Sequence, residues 1–435
     1  MSTLWDKGGQ GVDQAAQAFL AGEDVVWDRH LFLFDVAASR AHVEGLARVN
    51  VLRADEAASL VAELDALARA FTAGTFVLDA RHEDGHSAIE AHLTEKLGDT
   101  GRKVHTGRSR NDQVLVAQRL FLKDALEKLR ACCVAVADVC LERAQRDANT
   151  VMPGYTHLQR AVPSTVGLWL AAYAEGFADV AHLAVATRSW VDANPLGTAA
   201  GYGINLPLDR DGVTAALGFA RVQVNPMYAQ NSRGRFELQA LGVLLQALLD
   251  VRRLAWDLSL YTTAEFGFVS LPQQFTTGSS IMPNKRNPDV VELLRASVSP
   301  VHAAMTEVTD TLSLPGGYHR DLQATKPPVL RAFEGGLRAL SLLPAVLQAM
   351  TLHPDRMAAA ISPDMFATDR AVELAVVGVP FRDAYKKVAS ELASLGNRNA
   401  AASVAARTSL GGCANLGLDR IAARLDAARA PSSGR

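Results

Sequence analysis

The run Gly278-Ser279-Ser280-Ile281-Met282-Pro283-Asn284-Lys285-Arg286-Asn287-Pro288 sets two hydroxyls, a lysine, an arginine and two amides in one loop closed by prolines. Glycine gives the backbone freedom there, and the prolines stop a helix from continuing. A hydroxyl and an ammonium on one loop suit proton transfer, if the loop closes as a lid and buries Ile281 and Met282. A Gly-Ser-Pro linker that carries a Lys-Arg pair has the same composition. The loop alone leaves lid and linker both open.

Three more polar clusters fall at breaks in the apolar pattern: residues 105–113, 153–160 and 318–326. Each couples hydrogen-bonding side chains to the start of a helical stretch, and a helix N-terminus favours anions. One such cluster reads as capping. Four, rich in Arg, Asn, Thr and Lys, point to one site that grips several carboxylates. His157 could cap a helix or sit in a core, but its neighbours Tyr155, Thr156, Gln159 and Arg160 are polar. A general acid or base fits that setting better, because histidine titrates near neutral pH.

His82-Glu83-Asp84-Gly85-His86 spells the HExxH zinc pattern. Gly85 weakens the helix that must hold both imidazoles on one face, and Ile89 occupies the glycine position of the extended pattern. A metal is therefore not expected. Asp84 and His86 either line a substrate pocket or lie on the surface.

The elements that must position these clusters are long helices. Neither Gly nor Pro occurs between Gly107 and Pro153, and Leu115, Leu120, Leu122, Leu126 and Leu129 recur there at helical spacing. The spacing predicts a helix far beyond the average of about 11 residues. Further helices are expected at 164–193, 233–266, 288–313 and 327–350, with Pro300 and Pro344 kinking or dividing the last two. Shorter helices such as Glu56–Thr72 precede them. The fold class is all-α, an elongated bundle. It divides into an N-terminal helical domain (1–105), a central long-helix domain (106–352) and a small C-terminal helical domain (353–435). Ala240, Leu241, Leu244, Leu245, Leu248 and Leu249 form an apolar face wide enough to suggest burial against other copies of the chain.

The 435 residues carry a formal net charge of -2, which gives no electrostatic case for nucleic acid or anionic membrane. Hydrophobic content of 49% and charged content of 21% suit a globular protein with a large core. Cys132, Cys133, Cys140 and Cys413 lack CxxC spacing and read as buried reduced thiols. The start shows no apolar signal core, so a cytoplasmic location is expected. The tail at 430–435 has a disordered composition.

Together the four clusters resemble a known family. Gly278–Pro288 is similar to the signature loop of the fumarase/aspartase superfamily. Within it, His105–Gln113, Tyr155–Arg160 and Tyr318–Lys326 resemble the argininosuccinate lyase family, or δ-crystallin group, over residues of about 25 to 385. The resemblance implies a homotetramer with each active site built from three subunits. It implies reversible β-elimination of argininosuccinate to L-arginine and fumarate, by acid–base catalysis through an aci-carboxylate, without cofactor or metal. By position, Ser279 matches the serine that abstracts the Cβ proton. His157 matches the histidine of proton transfer at the departing guanidinium; which of the two is base and which acid stays open. Glu292 matches the acid that orients the histidine, and Lys285 and Asn287 match groups that stabilise the carbanion.

The same resemblance places Asn111, Thr156, Tyr318, Gln323 and Lys326 at substrate-binding positions, joined by Arg110. At the arginine end, Asp28 and Asp84 could accept from ammonium and guanidinium, with His86 nearby. Three departures stand out. The opening reads Leu4-Trp5-Asp6-Lys7-Gly8-Gly9 in place of the family's Leu-Trp-Gly-Gly-Arg-Phe. Gly22-Glu23-Asp24-Val25 replaces an Asn-Ala-Ser-Ile segment, leaving Asp24 where a substrate-contacting serine is usual. Tyr385 stands for a usual histidine. The alternatives are another fumarate-releasing lyase (adenylosuccinate lyase, fumarase, aspartase) or a crystallin-like structural protein.

Overall fold

A computed structural model of the chain describes residues 15, 16, 19, 22–79, 81–396 and 398–429. The opening run at 4–9 and the tail at 430–435 lie outside the described residues. The N-terminal part is built from helices α1 (Asp24–Asp28), α2 (Phe32–Arg48), α3 (Ala54–Thr72) and α4 (Gly85–Leu97). Its own core contains Phe32, Leu46, Leu60, Leu64, Leu67 and Leu93, all fully buried. Asp84 caps α4 by accepting from the Ser87 N–H at 2.8 Å, which is why the helix begins at Gly85.

The stretch without Gly or Pro forms α5, Arg110–Arg146, a helix of 37 residues that rises about 55 Å. Ser109 and Asp112 start it with a capping box: Ser109 Oγ accepts from the Asn111 N–H, and Asp112 returns a bond to the Ser109 N–H. Beyond its end, β1 (Val151–Thr156) and β2 (Gln159–Thr165) pair as an antiparallel hairpin. Sequence pattern did not foresee it, because Pro153, Gly154 and Pro163 read as turn residues. Helix α6 (Val166–Val191) then runs back along α5, bringing the Val191 and Ala193 carbonyls to Arg119. Their approach is close: a Cβ on Gly167 would stand 2.6 Å from the Cα of Ala148, so glycine is required there.

Helix α7 (Arg235–Tyr261) reverses again, its first turn placing Phe236 against Trp190 and its last placing Tyr261 against Trp169. The expected helix at 288–313 is two helices, α8 (Asp289–Ala296) and α9 (Val298–Thr311). The break falls at Ser297, which leaves Pro300 in the first turn of α9, where a missing N–H is not needed. Helix α10 (Lys326–Ala349) contains Pro344 without being divided by it. The main core unites these helices through Leu126, Phe177, Leu241, Leu244, Leu248 and Phe333. Of the apolar face on α7, Leu249 remains exposed and Leu245 half-buried.

Near the C-terminus, α11 (Ala367–Val376) and α12 (Phe381–Ser390) share a small core of Ala371, Leu374, Ala384 and Val388. The last helix, α13 (Leu418–Arg429), returns to the bundle and places Ile421, Leu425 and Ala428 in the main core. Cys133, Cys140 and Cys413 are buried free thiols, whereas Cys132 is only half-buried. Among the described residues, no helix is long and apolar enough to cross a membrane.

Candidate active site

At the start of α5 the chain encloses a cavity of about 510 Å³. Arg110 and Asn111 enter it from α5, Asp84 from the cap of α4 and Asp24 from α1; Tyr318, Gln323 and Lys326 enter from the segment leading into α10. The charges are largely arranged in pairs. Lys326, buried, holds Asp24 at 2.7 Å and Asp28 at 2.5 Å. Burial opposes its charge, but Asp28 and Asp24 outweigh that and lift its pKa above the ordinary lysine value. Asp24 is itself raised, chiefly by burial and against the pull of Lys326, and it accepts from the Gln323 amide. Arg110 binds Glu83 at 2.9 Å and also Asp84. For Asp84, burial is outweighed by His86, Arg110 and the bonds from Ser87, so its carboxyl lies below the usual range.

The expected acceptors Asp28 and Asp84 already have partners within the chain. Asp28 already takes Lys326 and the Gly85 N–H (2.8 Å), and Asp84 already takes Arg110 and the Ser87 N–H. His86 does not line the cavity; it is buried with Nδ1 against Asp35, and that carboxylate, with Asp84 and Asp28, raises its pKa against the effect of burial. Nor do His82 and His86 share a helix, since α4 begins at Gly85.

The edge of the cavity is fixed from behind by Asp112. This fully buried carboxylate accepts from the N–H groups of Ser109 (3.0 Å), Gly197 (3.0 Å) and Ala199 (2.9 Å). It thereby ties the start of α5 to the loop that follows α6. Burial, opposed by those bonds, pushes its pKa up to about 6.

The remaining expected residues lie elsewhere. Thr156 and His157 are exposed at the tip of the β1–β2 hairpin, beyond the far end of α5. Ser279 and Lys285 occupy a small hairpin closed by the pairing of Thr277–Gly278 with Arg286–Asn287. There Ser279 is half-buried and its Oγ accepts from the N–H groups of Ile281 (3.3 Å) and Met282 (3.0 Å). Ile281 is 83% exposed. Glu292 is exposed on α8 and Asn287 half-buried; neither bonds to His157 within the chain. The expectation that four clusters meet in one site is therefore not met within one chain. A helix that rises about 55 Å separates the cavity from the His157 turn.

The cavity also contains groups that the sequence did not single out: Glu90, His105, Arg108 and Arg233. Arg108 is buried and donates to Ser39 at 2.9 Å, while the Nε atoms of Arg108 and Arg233 bond to no group among the described residues. His105 falls to about 4 through burial, then through Arg108, His86 and Arg110. Arg108 and His105 stood inside a recognised cluster, but Arg233 had no pattern around it. Asp35 had a faint signal, since Asp24, Asp28 and Asp35 recur at helical spacing.

The class of protein follows from the sequence match: the family model described as "Lyase" matches residues 13–302. The chain belongs to this lyase family, of the fumarase/aspartase superfamily. It is 59% identical to an argininosuccinate lyase of Stenotrophomonas maltophilia (strain R551-3) over 425 residues, covering 98% of this chain and 99% of the relative. An argininosuccinate lyase of Xanthomonas campestris pv. campestris (strain B100) is likewise 59% identical over 425 residues, with the same coverage. Among solved structures, EDDS lyase in complex with formate shares the fold at a TM-score of 0.80 and 24% identity, over 97% of this chain and 92% of that one. A fumarate lyase:delta crystallin from Brucella melitensis does so at 0.72 and 20%, over 95% of each.

Proposed function

We propose that the chain catalyses the reversible β-elimination of argininosuccinate to L-arginine and fumarate. The observation that carries this is the 59% identity to argininosuccinate lyases over 98% of the chain. The residue types present suit the reaction. Ser279 and His157 exchange the two protons: one leaves the succinyl Cβ, the other joins the guanidino nitrogen as its C–N bond breaks. The Cβ electron pair passes through an aci-carboxylate into the double bond of fumarate. Lys285 and Asn287 stabilise that doubly charged intermediate, and one preorganised donor is worth about 3–4 kcal/mol in such a site. Glu292 orients His157. The step moves only protons and an electron pair within the substrate, so it calls on neither cofactor nor metal.

The cavity at the start of α5 supplies the binding half, with Arg110, Asn111, Tyr318, Gln323 and Lys326 reading carboxylates and the amino-acid head, and Thr156 contributing from the hairpin. Because the two halves lie apart in one chain, the site is completed between copies in a homotetramer. Exposed Trp256 on α7 and Leu293 on α8 support burial of the bundle's outer face. The chain works in the cytoplasm, organised as 1–105, 106–352 and 353–435, with α13 of the last part packed into the core of the central one. Purified protein mixed with argininosuccinate should raise the ultraviolet absorbance of fumarate and release arginine in equal amount. Silence with argininosuccinate but turnover of adenylosuccinate would overturn the assignment.

A further inference from the structure

The β1–β2 hairpin carries a backbone feature that its sequence does not favour. Thr156 pairs with Gln159, so the turn consists of His157 and Leu158 alone. Both lie in the left-handed region, at φ 54° and 59°. A two-residue turn of this hand matches the twist of the flanking strands, yet it is ordinarily built from Asn-Gly or Gly-Gly, because a Cβ crowds the following carbonyl. Leucine has neither the freedom of glycine nor the local hydrogen bonds of asparagine. Its side chain is also 72% exposed. Strain that persists next to a side chain proposed to be functional calls for something that holds it, and the described residues leave Leu158 largely uncovered.

We propose that Leu158 is a positioning residue for His157. Its side chain seats against a second copy of the chain when the site is assembled, and this contact holds the strained turn that aims the imidazole. Two further observations support that occupant. The register shifts between Pro153 and Tyr155, an irregularity of the kind that locally increases strand twist and re-aims side chains. Leu158 also borders an open cavity of about 760 Å³, where Tyr155, Phe266 and Phe268 stand beside charged Arg160, Glu265, Arg356 and Asp364, a mixed rim that a neighbouring copy can cover. The inference rests on the proposed role of His157 in a site shared between copies.

The test compares Leu158→Gly, Leu158→Met and the wild type, using the full-length assembled protein and argininosuccinate. Glycine relieves the strain and deletes the anchor; methionine keeps an apolar anchor of similar size. Leu158→Gly should assemble normally by light scattering and melt no lower than the wild type, with KM little changed. Its kcat should fall by about tenfold to a hundredfold, the range expected when a reacting group is misplaced by an ångström. Leu158→Met should restore most of that loss. Wild-type kcat in Leu158→Gly, or equal losses in both variants, would overturn the positioning role. Dissociation of Leu158→Gly into monomers would overturn it too, making Leu158 an assembly residue. A wild type that releases no fumarate from argininosuccinate would instead strike at the functional assignment itself.

Discussion

The two halves of the chemistry are built on opposite terms. At the start of α5 two of the cavity's cations are held in ion pairs: Lys326 lies between Asp24 and Asp28, and Arg110 between Glu83 and Asp84. That half is buried and finished within one chain. At the far end, His157 projects from a strained turn, Ser279 bonds among the described residues only to its own loop, and Lys285 is exposed. Groups that bind can be set permanently, because their partners come from the same fold. On the proposed mechanism, the groups that move protons would depend on closure and on a neighbouring copy, because a hydroxyl in water is a poor base.

That contrast is broken most severely by Ser279→Ala. Among the described residues the Ser279 side chain bonds only within its own loop, so the variant should fold and assemble normally while turnover drops by about 10²–10⁴-fold, as for loss of a general acid or base. Fumarate release followed beside a thermal melt checks both halves of the claim. Turnover near the wild-type level would remove the serine from the mechanism.

Two lysine variants sharpen the comparison. Lys285→Met should leave the melting transition in place and lower kcat by about 10²–10³-fold, the usual cost of losing one charge-stabilising donor. Lys326→Met leaves Asp24 and Asp28 buried without their cation, and it should lower unfolding stability by about 3–5 kcal/mol in denaturant titration. If Lys285→Met destabilised the fold and Lys326→Met did not, the division between a finished and an unfinished half would be wrong.

How far these halves could be read from sequence depends on what encodes them. The long helices were legible because the stretch from 108 to 152 lacks Gly and Pro and repeats leucine at helical spacing; α5 fills most of it. Pro300 signalled a break near Ser297, but Pro344 lies inside α10 without dividing it, beside buried Leu343 and Val346. The β1–β2 hairpin was hidden by its turn-like prolines. The polar clusters were visible as clusters, and their partners were not: nothing local ties Asp35 to His86, or Asp112 to Gly197 and Ala199, 85 and 87 residues on. Long-range pairing is decided by the fold and leaves no periodic trace.

Asp112 gives a smaller and more exact test of the finished half. Its folded pKa of about 6 lies above the ordinary carboxylate value, so the native state binds the proton more tightly than the unfolded chain. Its contribution to stability is then fully present below about pH 4 and declines as pH rises through about 6, by roughly 3 kcal/mol for a shift of two units. Asn cannot titrate, and its NH₂ opposes a backbone donor, so Asp112→Asn should be less stable at every pH. The deficit should shrink between pH 4 and pH 7. A deficit that grew over that interval would mean the carboxylate is better stabilised by Ser109, Gly197 and Ala199 than burial allows.

The smallest effect expected is none, and it bears on the one motif that straddles both readings of the N-terminal part. Zinc chelation through HExxH needs two imidazoles one turn apart on a helix, with a free glutamate between them. Here His82 precedes α4, Asp84 is spent as its cap, Glu83 is held by Arg110, and His86 is turned to Asp35. Each group is committed to the finished half, where it braces the binding cavity. EDTA should therefore leave fumarate release unchanged, and added zinc should not raise it. A reproducible loss with EDTA, restored by zinc, would mean that these partners exchange for a metal, and that this half is less settled than its ion pairs imply.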